Sequence, residues 1–152
     1  MSGLLNELRE QRRAEQAHAR ALRQTLAKAQ NPIAFAIIEG IVQESTRNAA
    51  VLQALIEARG GEAASDDAGN VTEDLLNEVR QETKEEAELL TGAGVLARES
   101  RDKRAKAILQ GLLEEQKRRH STMQALANLL QKEPTTLTDY LDLLGKYVST
   151  PH

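Results

Sequence analysis

Residues 31–59 read NPIAFAIIEGIVQESTRNAAVLQALIEAR, a long run of apolar and helix-favouring residues that opens on an asparagine and a proline. Asparagine caps helices well and proline is favoured in a first helical turn, so we expect a helix from Pro32 to about Arg59. Residues three and four positions apart in this run share one face of that helix and form its core stripe. The stripe comprises Ala34, Ile38, Ile41, Ser45, Asn48, Leu52 and Leu55.

The sequence on either side of this run predicts three further long helices. Residues 4–30 carry leucines at three-and-four spacing between charged residues, and the link at Asn31 is short, so the first two helices should pack as an antiparallel hairpin. Residues 72–99 and 103–132 predict a second hairpin in the same way. The expected fold class is all-α, an antiparallel four-helix bundle that occupies residues 1–133 as one domain.

Two segments lie outside the four predicted helices. Residues 60–71 are small and polar, which is typical of a loop, and they are long enough either to return locally or to cross along the whole bundle. Residues 134–152 follow Pro134 and predict a short helix from Leu137 to Val148, which forms a C-terminal lid or meets a partner subunit.

The composition excludes several classes of protein. Aromatic residues make up 2% of the chain, and the residues that dominate favour helices, which argues against a sheet protein. The 20 basic and 23 acidic residues are interspersed and give a net charge of −3, so we expect neither a nucleic-acid nor a membrane partner. There is no cysteine for a disulfide or a thiolate site, and we see no secretion signal, so a cytoplasmic location is expected.

Polar residues interrupt the core stripes near the middle of the helices. The fourth helix has the stripe Ile108, Leu112, Gln116, Arg119, Met123, Leu126 and Leu130. If the hairpins stack, its two polar positions approach those of the second helix, with Arg119 as the counter-charge for a carboxylate. The expected polar layer comprises Ser45, Asn48, Gln116, Arg119, Glu15 and Glu86.

Two stretches of the chain resemble the ferritin-like superfamily, especially the small rubrerythrin-like proteins. They are AIIEGIVQESTRNA at residues 36–49 and ILQGLLEEQKRRH at residues 108–120. The resemblance implies a bundle with a long crossover between the second and third helices. It also implies two iron or manganese ions, held by a Glu-x-x-His pair in each of these helices and by a glutamate from each of the others.

The ligand positions depart from the family pattern. When the helices are aligned by their core stripes, the positions of the Glu-x-x-His pairs carry Ser45 and Asn48 in one helix and Gln116 and Arg119 in the other. These side chains suit a hard dinuclear site poorly, and Arg119 repels a cation. We therefore expect a ferritin-like bundle with no standard di-iron site, no cofactor and no catalytic residue, and with a structural or protein-interaction role.

Two other interpretations stay open. A divergent oxidase or peroxidase would hold iron or manganese through ligands shifted along the helices, namely Glu15, His18, Glu44, Glu86, Glu115 and His120. Alternatively, the chain is a helical adaptor unrelated to ferritins, with a groove for a helix of an unidentified protein partner. A homodimer formed through helix faces or the C-terminal helix is a further expectation.

Overall fold

The computed structural model describes residues 2–60, 73–132 and 136–149. Its helices are α1 (Ser2–Leu26), α2 (Pro32–Gly60), α3 (Glu73–Glu99), α4 (Lys103–Gln131) and α5 (Leu137–Ser149). The described residues contain no strand, which confirms the all-α class. The chain divides into two compact units, Met1–Ser65 and Asp66–His152.

Some of the sequence predictions concern residues that the structure does not describe. Residues 61–71 of the predicted loop, the start of the third helix at Thr72 and the stop at Pro134 lie outside the described residues. The observed starts of α2, α4 and α5 coincide with the predicted ones. The single four-helix domain stays a prediction.

The first unit is an antiparallel hairpin of α1 and α2. Arg12 Nη1 donates to the side-chain Oε1 of Gln53, and Asn48 Nδ2 donates to Glu15 Oε2 at 3.4 Å, so residue numbers rise along one helix as they fall along the other. Its buried apolar residues are Ala19, Val42, Ala49 and Ile56. Two of these are alanines, which let helix backbones approach closely.

Helix α1 ends at Leu26, four residues before the predicted end at Gln30. The backbone N–H of Lys28 bonds to Thr25 O at 3.0 Å and that of Ala29 to Leu26 O at 3.0 Å, which tightens the last turn. Asn31 Oδ1 then accepts from Ile33 N at 2.8 Å and caps α2. The chain needs residues 27–31 to reverse its direction, and the alanine and lysine content of that stretch did not indicate this.

The second unit contains a hairpin of α3 and α4, with α5 packed against it. Asp102 caps α4, because its Oδ1 accepts from Arg104 N at 2.8 Å and from Ala105 N at 3.0 Å. A core cluster joins all three helices. It comprises buried Val79, Ala127 and Leu130, with Leu76, Met123, Leu126 and Tyr140 packed against them.

A capping box holds the start of α5. The Asp139 backbone N–H donates to Thr136 Oγ1 at 3.2 Å, and the Thr136 backbone N–H donates to Asp139 Oδ2 at 3.1 Å. The hydrogen bond from the Thr136 backbone, helped by the Lys132 ammonium at 3.8 Å, lowers the pKa of Asp139 below its ordinary 3.8. The negative charge on Asp139 therefore stabilises this helix end.

We expect the start of α5 to fray in acid. A carboxyl whose pKa is lowered by folding stabilises the fold above its unfolded pKa, and this contribution disappears as the pH falls through the folded pKa. The loss should therefore occur below pH 3.8. The measurement is the ¹³Cα chemical shift of residues 137–149 between pH 7 and pH 2, with Asp139→Asn as the variant that removes the transition. A midpoint above the ordinary pKa of aspartate would contradict the capping role.

Among the described residues, no helix combines the length and the hydropathy that crossing a membrane requires.

Candidate functional site: polar pairs and exposed apolar faces

The first unit pairs two of its predicted polar residues. Asn48 donates to Glu15 across the hairpin at 3.4 Å, and Ser45, one turn earlier on α2, is buried with 5% exposure. The amide and carboxylate sit within the α1–α2 contact, where a polar group without a partner is costly. Of the alternative ligands in this unit, His18 and Glu44 are exposed.

The second unit pairs two others. Arg119 Nε lies 3.3 Å from Glu86 Oε1, and the side chains are 51% and 19% exposed respectively. The carboxylate of Glu86, on α3, is therefore the counter-charge of Arg119. Glu86 Oε2 and Gln116 Oε1 are buried and have no hydrogen-bond partner among the described residues. These oxygens are acceptors that a donor from another group could satisfy.

The remaining predicted residues of the second unit lie on α4. Glu115 is exposed, and His120 is half-buried with its Nδ1 buried and without a partner among the described residues. The described residues contain no group of three or more His, Cys, Asp or Glu side chains that could hold a metal ion.

Each unit also exposes a large apolar face. On α2 the side chains of Ile33, Ile37 and Ile41 are 71%, 60% and 40% exposed, and their spacing of four places them in a row. In the second unit the exposed apolar side chains include Leu89, Leu96, Ile108 and Leu112. Contiguous exposed apolar side chains mark an interaction surface.

A groove of about 610 Å³ runs along the apolar face of the second unit. Leu89, Leu96 and Leu112 line it, together with Gly92 and Gln116.

The core stripes predicted from the sequence included Ile41, Ile108 and Leu112, which are 40–66% exposed in the structure. The core stripe predicted for α2 did not include Ile33 and Ile37. The apolar run of α2 nevertheless carried a usable signal, since one stripe cannot contain all the isoleucines of that helix.

The pair of Glu86 and Arg119 should contribute a measurable coupling energy. In a double-mutant cycle with Glu86→Gln and Arg119→Gln, we expect about 0.5–1 kcal/mol, reduced by solvent screening because Arg119 is half-exposed. The measurement is urea unfolding followed by circular dichroism. The matched control is the pair of Lys117 and Glu114, which has the same 3.3 Å distance but is 52% and 70% exposed. Equal coupling in both cycles would show that partial burial adds nothing to the first pair.

The chain matches no known protein-family model, and no curated protein or solved structure matches it.

Proposed function

We propose that the chain is a ferritin-like helical bundle without a standard dinuclear metal site, and that its role is structural or in protein binding. The observation that carries the proposal is the chemistry at mid-helix. Where a ferritin-like site would hold Glu-x-x-His pairs, Asn48 bonds to Glu15 and Arg119 pairs with Glu86. These groups engage one another within each hairpin, and Arg119 places a fixed positive charge where a cation would bind.

The exposed apolar faces support the bundle. Burying apolar surface is worth about 25 cal/mol per Å², so faces that carry three or four large aliphatic side chains favour a covered arrangement. We propose that the row of Ile33, Ile37 and Ile41 and the face around Leu89 and Ile108 are covered in the working protein. A four-helix bundle covers both at once.

Ile37→Asp tests whether the apolar face of α2 is covered. If the face is covered, the substitution should lower the unfolding free energy of the protein by more than about 2 kcal/mol, because it buries a charge. The control is Gln43→Asp, which adds the same charge at an exposed polar position of the same helix. Sedimentation at two concentrations distinguishes a monomeric bundle from a homodimer. A change within about 0.5 kcal/mol, as at an ordinary surface position, contradicts the bundle and favours a free adaptor surface.

Elemental analysis tests the absence of the dinuclear site. Protein purified without chelator, and then incubated with iron or manganese and desalted, should contain no stoichiometric metal. About two ions per chain, the content of a dinuclear centre, would instead support the oxidase or peroxidase with the shifted ligands. Asn48→Leu serves as a check, because it removes the amide from the mid-helix pair and should leave the metal content at zero.

A further inference from the structure

A groove on the first unit is lined by arginines. It has a volume of about 640 Å³, lies between α1 and α2, and contains no carboxylate in its lining. Its polar lining residues are Arg12, Gln16, Arg20, Arg23, Thr46 and Gln53. Three positive charges are thus collected on one groove of a chain whose net charge is −3.

The arginines follow one face of α1. Arg12 and Arg23 are eleven residues apart, close to three helical turns, and Arg20 lies three residues before Arg23 on the same side of the helix. At 1.5 Å per residue the outer two lie about 16 Å apart along the helix axis. Because arginine side chains are long, their guanidinium groups can converge on one elongated ligand in this groove.

Hydrogen bonds position the guanidinium groups of Arg12 and Arg23, and no carboxylate among the described residues neutralises them. Arg12 Nη1 donates to the side-chain Oε1 of Gln53 and Arg23 Nη2 donates to Thr46 Oγ1 at 3.2 Å, so both reach across to α2. Among residues 2–60 none of the three forms an ion pair with a carboxylate. Arg12 Nε is moreover buried and has no acceptor in the described part of the chain. A buried charged donor without an acceptor is costly, and an anion in the groove would offset the positive charge of this guanidinium group.

The bottom of the groove leaves room for a ligand. Ala19 and Ala49 are buried there, and Ala50 completes the lining, so no large side chain fills the space between the arginines. The volume lies within the range of about 300–1,000 Å³ that is usual for small-molecule sites.

We propose that this groove binds the oligophosphate group of a small molecule, with Arg20 and Arg23 at one end and Arg12 at the other. The planar guanidinium fork matches phosphate oxygens with two hydrogen bonds at a time. An oligophosphate carries several negative charges in a row, which corresponds to three arginines along one groove better than a single carboxylate does. The site lies entirely within α1 and α2, so it does not depend on the bundle or on the absence of metal.

Calorimetric titration of the full chain with sodium tripolyphosphate at low ionic strength tests the proposal. We expect a Kd below about 1 mM that weakens in high salt. Arg20→Gln and Arg23→Gln should each weaken binding about tenfold, since each removes a charge-assisted hydrogen bond. The control is Arg13→Gln, which removes the same charge from an exposed position of α1 outside the groove and should change Kd less than about twofold.

Parallel titrations distinguish the sources of the phosphates. Tighter binding of ATP than of tripolyphosphate assigns the site to a nucleotide, and equal binding assigns it to the phosphates alone; both support the proposal. Circular dichroism checks that the variants fold, and the Arg Nε–H resonances of the unmodified chain report the contact independently. Absence of heat and of shifted arginine resonances overturns the proposal. Equal weakening by Arg13→Gln also overturns it, because binding would then follow diffuse charge.

Discussion

Val42→Asp is expected to unfold the hairpin of α1 and α2. Among the described residues of this unit, Val42 has the most completely buried side chain, at 1% exposure. A carboxylate at this buried position would lose its hydration. The cost, more than about 4 kcal/mol, is a large part of the 5–15 kcal/mol that stabilises an ordinary domain.

A graded series distinguishes loss of packing from burial of charge. Val42→Ala should cost about 2 kcal/mol, because it removes apolar contacts and leaves a small cavity. Gln43→Asp is the matched control, since it introduces the same carboxylate at the adjacent, exposed position and should change stability by no more than about 0.5 kcal/mol. Amide hydrogen exchange of residues 2–60 is the measurement, because it reports this unit separately from the other. Similar protection in the two aspartate variants would show that Val42 is not part of the core.

Leu130→Ala is expected to weaken the second unit by about 2–4 kcal/mol, the usual cost of this truncation in a core. Leu130 is 8% exposed and belongs to the cluster that joins α3, α4 and α5. Its loss leaves a cavity beside Val79 from α3 and Tyr140 from α5, so both helices lose contacts. Protection from exchange should therefore fall at residues 136–149 as well as in α3 and α4.

The control for this prediction is Asn128→Ala on the same helix. Asn128 is exposed, and alanine has the higher helix propensity, so the unfolding free energy of this variant should be unchanged or slightly increased. A loss of less than about 1 kcal/mol in Leu130→Ala, far below the range for buried leucines, would mean that the cluster does not hold α5 in place.

Local signals were sufficient to place most helix boundaries. Asn31 and Asp102 cap helices as their side-chain chemistry predicts, and Pro32 begins α2. Capping depends on atoms within three residues of the helix end, so the sequence around each end carries the information. The end of α1 at Leu26 was not predicted, because no residue type in 27–30 by itself prevents a helix.

The partners of the mid-helix polar residues could not be predicted in the same way. Periodicity placed Ser45, Asn48 and Arg119 on core stripes, but Arg119 is half-exposed and Ser45 is buried. A stripe gives the direction of a side chain from the helix axis and not the distance to the neighbouring helix. The arginine groove was missed for the same reason, since only the contact of α1 with α2 brings Gln53 and Thr46 beside its three arginines.

The sequence by itself determined an all-helical chain, the positions of most helix ends and the stripes that carry apolar and polar residues. These follow from propensity, capping and spacing, which act over a few neighbouring residues. The tertiary structure alone decided that Asn48 bonds to Glu15, that Arg119 pairs with Glu86 and that Ile33, Ile37 and Ile41 are exposed. The two pairs each join residues 33 positions apart in the chain, and the exposure of the isoleucines depends on which face of α2 meets α1, so all three are set by how the helices pack.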